Sequence, residues 1–342
     1  MSEHPLVTAD VGLAARLLAG GGLVGMPTET VYGLAADAED VAAVARIFAV
    51  KGRPADHPLI VHLAGARDLD AWARDVPEYA RRLADRLWPG PLSLVLPRTR
   101  RAGDHVTGGL DTVALRVPSH PVARTLLDAC GAGRGLAAPS ANRFGRVSPT
   151  TAAHVLDELG ALLVPGRDVV LEGGPSEVGV ESAIVDCTGP SPRILRPGAV
   201  TASQLAEIGG VGVAEGPGRI RVPGTLPSHY APRARVDVVD DPADLPGLLA
   251  APDGIAPHAR THGPARTHGP ADGLLAPAEV PTPAGVVRLS APADPTDYAR
   301  VLYAALREAD ALGLQRVLAV PPVAVGVGTA VLDRLRRAAH RD

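Results

Sequence analysis

Leu23-Val24-Gly25-Met26-Pro27-Thr28-Glu29-Thr30-Val31-Tyr32-Gly33-Leu34 sets a short apolar run directly against a turn rich in hydroxyls and carrying a carboxylate. Residues 23–26 read as a buried strand, and Pro27 breaks it where the polar residues begin. Upstream, Thr8 or Asp10 offers an N-cap for a helix through Leu18 that stops at glycines 20–22. Downstream, Asp40 caps a second amphipathic helix, VAAVARIFAV, which ends at Lys51-Gly52-Arg53-Pro54. Strands are predicted at 59–63, 92–96 and 112–117. A helix at 122–130 then precedes a strand at 136–138, which runs into Pro139-Ser140-Ala141-Asn142. A helix around 150–159 and strands near 169–171, 182–187 and 193–195 follow, with a closing helix at 201–208. Strands outnumber helices and do not alternate strictly with them, so the fold class is α+β, a mixed twisted sheet with flanking helices over residues 1–208.

Residues 209–233 are rich in glycine and proline, lack periodicity and read as a linker ending in His229-Tyr230-Ala231-Pro232. Beyond it, the short apolar strands VDVVD, GVVRLS and QRVLAV and helices at 296–312 and 329–341 form a smaller α/β domain, Rossmann-like, over 234–342. Inside that domain, 251–283 reads as a mobile insertion. It holds ARTHGP twice in succession, and His258, His262 and His268 read as a duplicated surface loop in preference to a metal cluster.

The balance of 34 basic and 37 acidic residues, a net charge of −3, supplies no footprint for holding a nucleic-acid duplex by counterion release. No stable nucleic-acid binding is therefore expected. Cys130 closes an apolar helix and Cys187 ends an apolar strand, without zinc or CxxC spacing, so both read as small core residues. The N-terminus has no basic flank with an apolar core, and the longest apolar run, 317–332, is broken by Pro321, Pro322, Gly326 and Gly328. A cytoplasmic location and no membrane partner are expected. Of the 34 lysines and arginines only Lys51 is a lysine, and Asn142 is the only asparagine. Where arginine is written almost everywhere, a surviving lysine points to a place where a compact ammonium does what a planar guanidinium does not.

Polar clusters recur at strand and helix ends: Thr28, Glu29, Thr30 and Tyr32; Lys51 and Arg53; Ser140, Asn142 and Ser148; and Arg196 in ILRPG. Arg116 ends the apolar strand TVALR and must find an anion or a carbonyl. Four fixed cations and several hydroxyls, with no nucleophile triad and no acid cluster, suit a polyphosphate and a carboxylate better than hydrolysis. Neither GxxxxGK[ST] nor GxGxxG is present, so phosphates would rest on side chains and on amides near Ser140 and Asn142. Each residue taken alone also has a structural reading. Thr28 and Thr30 suit a turn cap, His62 a satisfied core histidine, and Glu29 and Glu181 solvated or backbone-capping carboxylates. Arg334, Arg336 and Arg337 suit a solvated helix face.

PTETVYGL, KGRP followed by HPLIVH, TVALRVP, APSAN, GVESAIVD and ILRPG, in that order, resemble the YrdC-like threonylcarbamoyl-AMP synthase family. HYAP and the extra domain resemble its long, two-domain form. The resemblance covers residues 10–232 closely and the remainder loosely. It implies a nucleotidyltransferase that joins L-threonine, bicarbonate and ATP into L-threonylcarbamoyladenylate and pyrophosphate, with Mg²⁺ carried by the ATP phosphates. It implies a downstream transferase that passes the product to tRNA. Carried over by position, Thr30, His62, Arg116, Ala138 and Ser182 would line the threonine pocket. Arg53, His57, Thr112, Ser140, Asn142, Ser148, Arg196 and Tyr230 would contact ATP, and Lys51 with Arg53 would serve the chemistry. His57 stands where many relatives carry asparagine, and Val222, Leu226 and Ser228 depart from the family's linker pattern. An RNA-binding module and a carbamoyl-transfer accessory protein are the competing readings. The second domain is expected to act as a lid or regulator.

Overall fold

The computed structural model describes residues 4–214, 218, 220–224, 229–250 and 272–340. Its ten N-terminal strands are β1 Val7–Thr8, β2 Val24–Met26, β3 Gly33–Asp37, β4 Ile60–Leu63, β5 Leu92–Pro97, β6 Thr112–Arg116, β7 Gly135–Ala137, β8 Val169–Leu171, β9 Ala183–Asp186 and β10 Arg193–Arg196. They form one mixed sheet in the order β1-β8-β2-β3-β7-β4-β6-β5-β9-β10. Parallel pairs such as β4 with β6 alternate with antiparallel pairs such as β3 with β7, so the sheet is neither doubly wound nor a meander.

Local chemistry explains the helix starts. Asp10 Oδ1 accepts from the amide of Leu13, and Asp40 Oδ1 accepts from Ala42 and Ala43. Each satisfies amides that the first helical turn leaves free. Thr8, the other candidate cap, lies in β1 and accepts from Asp10 instead. The helix Ala202–Gly209 is closed by a reciprocal Thr201–Gln204 capping box. Several elements went unread in the sequence, the strand β3 and one long helix chief among them. β3 is GLAAD, poor in strand-forming residues, yet it lies between β2 and β7, where small side chains suit a strand buried on both faces. The helix Glu78–Leu87 was the other.

The second domain is a four-stranded, all-parallel sheet of β11 Arg235–Val238, β12 Asp272–Leu275, β13 Val287–Ser290 and β14 Arg316–Ala319, ordered β11-β14-β12-β13. β12 corrects the sequence reading. It falls within the stretch taken as an insertion, yet it pairs with strands on both sides, and Leu274 and Leu275 are fully buried. Asp272-Gly273-Leu274-Leu275 is too short to announce itself beside a low-complexity run. The ARTHGP repeat and its histidines lie outside the described residues. Among the described residues, no helix is long and apolar enough to cross a membrane.

The two domains share a core. Val31, Val147 and Val180 of the first pack in one cluster with Tyr298, Leu302 and Tyr303 of the second.

Candidate active site

The ends of β4, β6 and β10, the turn before β3 and the linker converge on a cavity of about 50 Å³. Of the candidate residues, Thr30, Arg53, His62, Arg116, Ala138, Ser140, Ser182, Arg196 and Tyr230 line it. Lys51, His57, Thr112, Asn142 and Ser148 do not.

The turn after β2 divides its hydroxyls. Thr28 Oγ1 accepts from the amides of Thr30 and Val31 at 3.3 and 3.2 Å, which is the capping role. Thr30 instead turns its hydroxyl to Arg116, whose Nη1 donates to it at 2.9 Å. Arg116 ends β6 with 4% exposure. Its Nε donates to Gly90 O at 3.2 Å, and Nη2 lies 2.7 Å from Glu29 Oε1. Glu29 is therefore not solvated but a buried ion-pair partner. Burial alone would raise its carboxyl, and Arg116 overrides that and holds it below the ordinary range. His62, opposite Arg116 in the β4–β6 register, is pushed down to about 3 by burial and then by Arg116. It is a neutral ring, too weak a base to take a proton from an ammonium.

On the far wall, Arg196 ends β10. Its Nε and Nη2 both donate to Ser182 O, at 3.2 and 3.0 Å, and Nη1 donates to Pro223 O at 3.0 Å. Ser182 Oγ is shared with Ser93 at 2.9 Å. Arg53 donates to Pro58 O at 3.0 Å, and burial lowers its guanidinium to about 10, so it stays charged at neutral pH. Three guanidiniums thus line one cavity with one carboxylate, Glu181, while Glu29 pairs with Arg116 outside the lining.

The remaining candidates lie outside the cavity lining and have other partners. Lys51 is fully buried behind the cavity, and its Nζ donates to the carbonyls of Ser140 and Asn142. Burial, then Arg53, drives its pKa well down. The lysine survives because a slender chain with a compact head fits where two carbonyls converge. It pins the loop and lies outside the cavity lining. Asn142 Nδ2 donates to the carbonyls of Arg143 and Arg146, both at 2.8 Å, which fixes the same loop. Ser148 donates to Glu181 at 2.6 Å. Thr112 is half-buried at the start of β6. His57 packs edge-on against Phe144, 5.4 Å between centroids. Tyr32, grouped in the sequence with the threonines, sends its hydroxyl to Gly174 O at 2.8 Å.

Sequence reasoning named Tyr230 but missed the rest of what the linker contributes. Pro223, Gly224, His229 and Tyr230 all line the cavity. Gly224 adopts φ +77°, and a Cβ there would stand 2.3 Å from the Tyr230 hydroxyl and 2.9 Å from Arg196 Nη1, so only glycine fits. Leu226 and Ser228 lie outside the described residues, and Val222 packs with Ile60, Val95 and Ile184. It also missed Glu181 and Arg334. Both are buried and bonded to each other at 2.9 Å, so Arg334 is not part of a solvated face. Glu181 directly precedes Ser182, a proximity that offered a weak signal. Among the described residues there is no cluster of side chains able to hold a metal ion.

Fold and site define a two-domain protein whose mixed-sheet domain carries a guanidinium-lined cavity closed by its linker. A family model described as "Telomere recombination", covering the Sua5, YciO and YrdC proteins, matches residues 16–198. One described as "Threonylcarbamoyl-AMP synthase, C-terminal domain" matches residues 200–340. The chain belongs to the threonylcarbamoyl-AMP synthase family. It is 38% identical over 334 residues to the threonylcarbamoyl-AMP synthase of Pyrococcus abyssi, covering 96% of this chain and 93% of that one. It is 41% identical over 237 residues to that of Bacillus subtilis, covering 68% and 67%. The solved structure of P. abyssi Sua5 complexed with L-threonine superposes with a TM-score of 0.82 at 37% identity, over 96% of this chain and 94% of that one.

Proposed function

We propose that the cavity is the catalytic site of a threonylcarbamoyl-AMP synthase that converts L-threonine, bicarbonate and ATP into L-threonylcarbamoyladenylate and pyrophosphate. One observation carries the reading: Arg53, Arg116 and Arg196, from three separate elements, converge on one hollow together with the hydroxyls of Thr30, Ser140 and Ser182. Arg116 and Thr30 take the threonine carboxylate, which a planar fork matches in geometry. Neutral His62 orients the amino acid beside them without adding charge. Arg53 and Arg196, with Ser140, take the phosphates.

The amine, once neutral, attacks CO₂ formed as bicarbonate loses water, and the nitrogen releases a proton to solvent to leave the carbamate. The carbamate oxygen then attacks the α-phosphorus, and pyrophosphate leaves in line. No covalent enzyme intermediate is required. The wall contributes positioning and fixed positive charge where negative charge develops. Glu29 and Glu181 are each committed to an arginine, so the donor set fits Mg²⁺ brought by the nucleotide and not one held by the protein. When bound, that ion neutralises phosphate charge. The product is consumed by a transferase acting on tRNA, and the protein works in the cytoplasm.

The test is pyrophosphate release measured with each substrate withheld in turn. Release that needs L-threonine, bicarbonate and Mg²⁺-ATP together is expected; release unaffected by omitting L-threonine would overturn the reading.

A further inference from the structure

Glu181 is the odd charge in the wall of the cavity. A carboxylate lining a hollow that takes a triphosphate works against binding unless something else holds its charge. Its Oε1 accepts from Ser148 at 2.6 Å; its Oε2 accepts from the Tyr303 hydroxyl at 2.7 Å and from Arg334 Nε at 2.9 Å. Tyr303 and Arg334 both belong to the second domain, on the helices Pro295–Ala311 and Val327–Ala339. Arg334 is fully buried and donates to Asp333 and, at 3.0 Å, to Pro197 O. Its guanidinium lies 5.3 Å over the ring of Tyr230, which lines the cavity and stacks on Tyr303 at 5.6 Å.

The competing cation is Arg196. It lines the same cavity and feels the charge of Glu181, but its nitrogens go to the carbonyls of Ser182 and Pro223. Without Arg334, a buried carboxylate must capture another cation or take up a proton. Arg196 is the one within its field, so phosphate would lose its guanidinium and meet a carboxylate instead.

We propose that Arg334, helped by Tyr303, is a positioning residue for nucleotide binding: the second domain holds Glu181 away from Arg196 and so keeps that guanidinium open to phosphate. The inference rests on the reading of the cavity as the ATP site. It makes the second domain part of the nucleotide site, acting through one carboxylate.

Calorimetric titration of Mg²⁺-ATP and, separately, of L-threonine tests it on wild type, Arg334→Met, Glu181→Gln and the double variant. Arg334→Met is expected to weaken ATP by roughly 30-fold or more, with L-threonine affinity unchanged. Adding Glu181→Gln is expected to restore ATP affinity, and L-threonine affinity unchanged throughout separates this from a merely structural role, which would weaken binding of both ligands. Wild-type ATP affinity in Arg334→Met, or a double variant as weak as the single, overturns the proposal. Should Arg334→Met fail to fold by circular dichroism, Tyr303→Phe serves in its place. It removes one bond to Oε2 and is expected to weaken ATP by several-fold, again rescued by Glu181→Gln; no change overturns the proposal. Wild type that binds no ATP removes the reading of the cavity and this inference together, whereas wild type that binds it beside an unaffected Arg334→Met removes the inference alone.

Discussion

Arg116 holds three partners in the protein alone, Thr30, Glu29 and the Gly90 carbonyl, and in the proposed reaction it takes a fourth, the threonine carboxylate. Replacing it with alanine is expected to weaken L-threonine binding by about 10²-fold or more while ATP binding is retained, because Arg53 and Arg196 sit on other walls. Calorimetry with each ligand separately checks this, and equal loss of both ligands would refute the division of the pocket. Arg116→Lys is expected to fail nearly as badly, since an ammonium cannot serve Thr30, Glu29 and a carboxylate in one plane. A second consequence at this scale concerns acid. Burial holds His62 down to about 3, reinforced by Arg116. Burial likewise holds His229 at about 3, with Lys51, Arg53 and Arg196 pressing the same way. Both native values lie below the ordinary 6.5, so the stability they contribute is whole above about pH 6.5 and is lost as pH falls toward 3, each ring costing about 1.4 kcal/mol per pH unit. Urea midpoints should therefore fall between pH 7 and pH 5, before carboxylates titrate, and should fall less steeply in His62→Asn. A flat profile would contradict the burial of these rings. Arg116 was legible in the sequence because a polar residue ending an apolar strand must find a partner, and Thr30 only through the family resemblance. Glu181 and Arg334 were not. Their pairing spans 153 residues, and nothing local distinguishes a buried arginine on a helix from its exposed neighbour Arg336.

Among the elements, the caps were readable and the loops were not. Aspartates 10 and 40 declare helix starts through a bond only two or three residues long. Lys51 declared itself as singular, but its contacts lie on a loop about ninety residues further on, so composition marked its importance while the bonds it makes were not legible. Its ammonium organises the turn that presents Ser140 to the cavity. Lys51→Met keeps the stem and leaves both carbonyls without their donor, a cost of about 1–3 kcal/mol apiece. The expected result is a clear loss of stability in urea, with ATP weakened through Ser140 and L-threonine little affected. A variant as stable as wild type would remove the pinning role. Gly224 is the corresponding point in the linker. Gly224→Ala places a methyl against Tyr230 and Arg196 at a positive φ, so the linker cannot seat as it does here. If seating the linker limits release of the adenylate, product should leave faster in this variant. Single-turnover and steady-state rates that change in parallel would argue against that.

The molecule reads in sequence as two domains on a string, and a glycine- and proline-rich stretch between periodic segments is fair ground for that reading. Packing says otherwise. Val31, Val147 and Val180 of the first domain are buried in one cluster with Tyr298, Leu302 and Tyr303 of the second, and Tyr230 of the linker joins them. Arg233 and Ala234 donate their amides to Asp310, and Arg307 donates to the carbonyls of Val147 and Ser148. A buried valine is worth about 1.5–3 kcal/mol relative to an exposed one. Uncovering three of them therefore removes an amount comparable with the lower end of the 5–15 kcal/mol typical of a folded protein. The Glu181–Arg334 pair compounds this, because removing one member leaves a buried charge unmatched. The two domains are accordingly expected to unfold together. Differential scanning calorimetry should show one transition whose van't Hoff and calorimetric enthalpies agree, and a chain truncated after Arg233 should melt far lower and expose apolar surface to a hydrophobic dye. Two separated transitions, or a truncated chain as stable as the parent, would mean that the shared cluster contributes little and that the second domain is tethered more than it is packed.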